Sequence, residues 1–109
     1  MEVGIRLKDL PPGRNWIVGL MQYINYGRIQ FLPVRGGDPV FGKSLQWQID
    51  YKVCAENGPR PEMALGDYLL RKEVISMFEC FQKLGNGIVV NIEVKGGLPF
   101  MITVQQCAA

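Results

Sequence analysis

The sequence predicts an α+β fold in which two pseudo-symmetric helix–strand–strand units build one four-stranded antiparallel sheet with both helices on one face. Three observations predict it: two apolar stripes at helical spacing, one segment of strict apolar–polar alternation, and a self-match at an offset of sixty residues.

The elements follow in order. Residues 3–7 are read as a short strand, and Pro11-Pro12-Gly13 then breaks the chain. Asn15 is placed to cap a helix, its side chain accepting a hydrogen bond from an orphan amide of the first turn. Ile17, Leu20, Met21 and Ile24 recur at i, i+3, i+4 and i+7, which is one stripe of that helix. Asn25 and Gly27 suit a left-handed exit. A strand is expected over 28–35, and Gly36-Gly37 suits a two-residue hairpin turn because both positions tolerate positive φ.

Residues 45–53 read as the clearest strand. Leu45, Trp47, Ile49, Tyr51 and Val53 alternate with Gln46, Gln48, Asp50 and Lys52, which places the first set inward and the second in water. A polar loop over 54–66 leads to a second helix capped by Asp67. Its stripe is Leu70, Val74, Met77, Phe78, Phe81 and Leu84, and it ends at Gly85. Residues 88–95 and 98–106 then form a second hairpin around Gly96-Gly97.

The self-match lays residues 21–41 over 81–101 without a gap. Six pairs are identical: Gln22/Gln82, Gly27/Gly87, Val34/Val94, Gly36/Gly96, Gly37/Gly97 and Pro39/Pro99. Turn chemistry alone explains Gly36-Gly37 and Gly96-Gly97, but neither the proline two residues on nor the reach back into the helix. The expected repeats are residues 15–53 and 67–106 of a single domain, 1–109.

The repeated prolines predict a strand order. In each hairpin the proline lies at a non-hydrogen-bonded position, where its missing N–H would point away from the hairpin partner. Proline is tolerated there if no third strand needs that donor, so the second strand of each hairpin is expected at an edge and the two first strands in the middle. Pro33 disagrees, because this register would use its amide. A bulge or a shifted register is therefore expected in the first hairpin, involving Gly42-Lys43-Ser44.

Composition excludes more than it assigns. In 109 residues, 48% hydrophobic and 20% charged, the balance is that of an ordinary globular domain. A net charge of +2, with the basic residues scattered, gives no support to a nucleic-acid or membrane partner. The start, Met1-Glu2-Val3-Gly4, lacks the basic and apolar regions of a signal peptide. Cys54, Cys80 and Cys107, odd in number and widely spaced, fit reduced thiols and a cytoplasmic location, with Cys80 read as a small core residue. There is no histidine, which removes the usual general base and zinc ligand, and three dispersed cysteines do not complete a structural zinc site. No catalytic residue, metal or cofactor is assigned.

The candidate interaction residues are Arg35, Lys95, Arg60, Phe100 and Ile102. Arg35-Gly36-Gly37 and Lys95-Gly96-Gly97 set a cation beside turn amides, a nest that can hold an anion or a charge that simply keeps the tip soluble. Arg60 lies in the stiff polar loop over 55–62. Phe100 and Ile102 lie on the uncharged final strand, which is expected to be covered by residues 3–7 or by another copy of the chain. The leading expectation is a non-enzymatic protein-interaction module acting through a protein partner or as a homodimer. A nucleic-acid-associated protein is the alternative, and a small enzyme with an unrecognised site comes third.

Overall fold

The computed structural model describes residue 10 and residues 12–53, 58–59 and 71–106. Its elements are α1 (Pro12–Ile24), β1 (Tyr26–Arg35), β2 (Asp38–Pro39), β3 (Gln46–Ile49), α2 (Lys72–Leu84), β4 (Gly87–Lys95) and β5 (Leu98–Gln105). The architecture is α+β, with two helices and one antiparallel sheet ordered β2-β1-β4-β5, β3 also pairing with β1. The prolines therefore ordered the strands correctly: β1 and β4 are central, and the return strands lie outside them.

The sheet has five strands rather than four, because the return strand of the first hairpin is broken. Arg35 faces Asp38 and Val34 faces Pro39. The next pair should exchange two hydrogen bonds, but only Val40 N donates, to Pro33 O at 3.0 Å, since proline has no proton to return. The chain leaves the ladder there and turns, with Leu45 N donating to Gly42 O at 3.2 Å. Pairing resumes with Ile29 opposite Trp47. A continuous ladder would have put residue 44 there, so three extra residues are taken up between the two pieces.

The strand expected over 45–53 is shorter than its alternation suggests. Pairing runs from Gln30 opposite Gln46 to Gly27 opposite Ile49, and Asp50 N makes the last bond, to Tyr26 O at 2.7 Å. β1 begins at Tyr26, so residues 51–53 have no strand beside them. Tyr51 (68% exposed) and Val53 (92%) consequently do not join the inward row read from the sequence, of which Leu45 and Ile49 pack against the core while Trp47 is 41% exposed.

Both helices differ at their starts. Pro12 opens α1 instead of breaking the chain, as proline can in a first turn whose amides have no partner anyway. At α2 the cap position is Arg71, whose side chain makes no capping bond. Asp67, Leu70 and the strand read at 3–7 lie outside the described residues. Both helices end alike, with Asn25 N bonded to Met21 O and Gly85 N to Phe81 O, each at 2.9 Å. Asn25 (φ 63) and Gly85 (φ 70) supply the left-handed exits.

One core joins the layers. Ile17, Val18 and Met21 of α1 and Met77, Phe78 and Phe81 of α2 pack with Ile29, Leu32, Val89 and Ile92 of the central strands. On β1 and β4 alike, two residues separate the inward pairs Ile29/Leu32 and Val89/Ile92, where strict alternation allows one. Phe31 absorbs the extra residue at φ 58, and the ladder steps from Gln30–Asn91 to Leu32–Val89. Along the same seam Gly27 faces Val94 and Val34 faces Gly87.

Candidate functional site

Three of the four glycine amides at the hairpin tips are engaged within the protein. Gly36 N donates to Asn86 Oδ1 at 3.0 Å, Gly37 N to Gly85 O at 2.8 Å, and Gly97 N to Asn25 O at 2.9 Å. Each tip is thereby tied to the end of the helix belonging to the other hairpin. Both glycine amides of the first tip are used in this way, and at the second tip that of Gly97. Arg35 stays exposed at the end of β1, and Lys95 lies over the Phe100 ring at 3.9 Å from its centroid.

The structure brings Lys95, Phe100 and Ile102 to one place. β5 is an outer strand paired with β4, with Ile102 opposite Ile92 on the helix side and Met101 opposite Glu93 on the other. Phe100 is the extra residue where the register shifts between Glu93 and Val94, and it is 62% exposed. Between β5 and α2 runs an open groove of 380 Å³, lined by Ser76, Met77 and Cys80 on the helix and by Pro99, Phe100 and Ile102 on the strand. Lys72 and Glu73 complete its lining at the start of α2.

Cys80 corrects the sequence reading. It is an exposed thiol on the groove wall, not a core residue, because it faces the gap beside β5 rather than the stripe of Met77 and Phe81. Ser76 went unnoticed altogether. Arg35 is remote from the groove residues in the strand order, standing at the far end of the seam from Lys95. Arg60, Cys54 and Cys107 lie outside the described residues.

A smaller cavity of 230 Å³ opens beside Asn25, Tyr26, Tyr51 and Lys52. Asn25 Nδ2 donates to Gly58 O at 3.1 Å there, and the Lys52 ammonium lies 5.6 Å from the Tyr26 ring centroid. No family model, curated protein or solved structure matches this chain. Among the described residues no three His, Cys, Asp or Glu side chains are grouped so as to hold a metal ion, and no helix is long and apolar enough to cross a membrane. What the groove offers chemically is an apolar trough beside a row of strand backbone groups.

Proposed function

We propose that this chain is a non-enzymatic interaction module that takes up an extended segment of another polypeptide along β5. The observation that carries this reading is the edge itself. Leu98 to Gln105 contains no charged residue, and Phe100 and Met101 are 62% and 56% exposed. Edges that must stay single are usually guarded by charge, proline or cover. Among the described residues, Pro99 and the irregularity at Phe100 guard only the start of this one, and no strand pairs with the outer side of 101–105. Alternate backbone groups of an edge strand supply affinity in such pairing, and a neighbouring pocket supplies selectivity.

The test is selection of peptides from a random library against the immobilised full chain, followed by amide exchange of the complex. Selected peptides should slow exchange at residues 101–105 and lose binding in Ile102→Lys. Peptides that bind without protecting those amides would refute the reading. A chain that sediments as a dimer, and becomes monomeric in Ile102→Lys, would replace the foreign segment with a second copy.

We also infer that the fold is a duplicated unit, residues 15–53 and 67–106. Support comes from two thirteen-residue helices starting sixty residues apart, and from the crossed bonds of Gly37 to Gly85 and Gly97 to Asn25. The seam supports it as well, because shifting Gly27–Val94 by sixty residues gives Gly87–Val34, itself a pair. A crystal structure in which residues 72–95 do not superpose on 12–35 would overturn the duplication. A cytoplasmic location is proposed from the three widely spaced cysteines. Mass spectrometry of the alkylated native protein should find all three as thiols, and a disulfide would count against it.

A further inference from the structure

The seam between β1 and β4 is regular except at its centre. From Gly27–Val94 to Val34–Gly87, exchanging each member of a pair for the residue sixty positions away gives another pair, with one exception. Gln30 pairs with Asn91, but the corresponding Val90 and Phe31 do not pair. The cause is Phe31, whose φ of 58 holds a bulky residue in the left-handed region at a steric cost. Among the described residues β1 has no outer neighbour at this point. β3 pairs no further than Gln30, and the nearest bond beyond is that of Val40 to Pro33.

Sixty positions from Phe31 stands Asn91, which carries a defect of its own. Asparagine enters the left-handed region far more readily than phenylalanine, as Asn25 does at the end of α1 (φ 63). Asn91 nevertheless keeps a negative φ within β4, and its Oδ1 is buried with no hydrogen-bond partner. An unpaired buried acceptor is costly. β4 also has slack here, because its register against β5 shifts between Val89 and Asn91. The strain thus falls on the residue less suited to it, while the better-suited one is left with an unpaired carbonyl.

We infer that the seam is a two-position switch. In the position described, Phe31 is left-handed and Gln30 lies opposite Asn91. In the other, Asn91 is left-handed, Phe31 takes an ordinary strand conformation opposite Val90, and the Asn91 carboxamide turns away from where its Oδ1 has no donor. Ile29, Leu32, Val89 and Ile92 stay in the core in both, so the helices keep their packing. What moves is the Phe31 ring, which is 39% exposed and borders an open hollow lined by Lys43, Ser44, Leu45 and Gln46. Reversing φ at residue 31 reorients that ring and reshapes the hollow. A ligand that prefers one shape therefore sets the position of the seam.

The experiment is relaxation dispersion at the backbone amides of the full chain and of three variants. The natural chain should show microsecond-to-millisecond exchange confined to residues 29–32 and 89–92, with a minor population on the order of 1%. Asn91→Gly removes the remaining cost of a left-handed residue 91 and should raise that population several-fold. Carbon shifts of its minor state should report a left-handed residue 91 and an extended Phe31. Asn91→Val, β-branched and ill suited to positive φ, should abolish the exchange. Phe31→Gly, which relieves the strain of the position described, should abolish it too, and decides alone if Asn91→Val fails to fold. Exchange that emerges only in Asn91→Gly, with those shifts, supports the switch at a smaller population. No exchange in either the natural chain or Asn91→Gly leaves a single position and overturns the inference. Exchange that persists in Asn91→Val and Phe31→Gly belongs to another motion and overturns it equally.

Discussion

Gly27→Ala should be strongly destabilising. A Cβ at this position would land on the carbonyl oxygen of Gln48, with Gln48 C and Ile24 Cγ2 both at 2.9 Å. The obstruction is backbone of the neighbouring strand, so no rotamer relieves it, and β3 must move off β1. The ladder would lose about two backbone hydrogen bonds at roughly 1 kcal/mol each, together with about 1 kcal/mol of packing from half-buried Ile49 and Trp47. The expected cost is therefore about 3 kcal/mol, a large share of the ~5–15 kcal/mol that holds such a domain together. Two controls isolate the cause. At Gly87 an added Cβ meets the flexible Leu84 Cδ1 at 3.0 Å, and at Gly36 (φ +58) it meets nothing within 4 Å. Each should cost about 1 kcal/mol, Gly36→Ala through its backbone conformation alone. Urea titration gives the three values, and amide exchange should show residues 46–49 opening selectively in Gly27→Ala. If Gly27→Ala costs no more than Gly36→Ala, or leaves 46–49 fully protected, the close approach of β1 and β3 is not what holds the first hairpin.

Phe81, fully buried at the centre of the core, should cost ~3–5 kcal/mol when cut to Ala, measured by the same titration. Arg14 donates from Nε to Asp38 Oδ1 at 2.7 Å and lies 5.2 Å from the Phe78 ring centroid. Asp38 is 47% exposed, so Asp38→Asn should cost under about 1 kcal/mol, and Arg14→Ala more, because its stem and ring contact go too. Generic DNA or RNA should bind more weakly than roughly micromolar at physiological salt, and a tighter titration with a steep salt slope would favour a nucleic-acid role. Elemental analysis of purified protein should find no stoichiometric zinc or iron, and bound metal lost in Cys54→Ser or Cys107→Ser would overturn that.

What could be read in the sequence was whatever depends on local chemistry. The stripe of Met77, Phe78 and Phe81 specifies a helix face from spacing alone, and a proline without an N–H restricts which strands lie outside. Pro33 even located the break in the first hairpin, since half of one pair could not form. What could not be read depends on partners. The alternation over 45–53 describes those residues but says nothing of where β1 begins, so it overstated the strand by the residues past Ile49. The extra residue at Phe31 leaves no mark in composition, because a left-handed phenylalanine is set by the strands on either side. The groove beside Ser76 and Cys80 left no sign either, because it depends on where β5 lies beside α2.

The seam between β1 and β4 also bears on how the chain assembles. Each hairpin closes over short loops, whereas the seam joins residues about sixty positions apart and must wait for both. Nothing in the seam requires its two strands to belong to one molecule. The β1 of one chain could pair with the β4 of another, with the crossed bonds of Gly37 and Gly97 re-formed between them. Shortening the connection from residue 54 to 70 should therefore favour a swapped dimer, which sedimentation would detect.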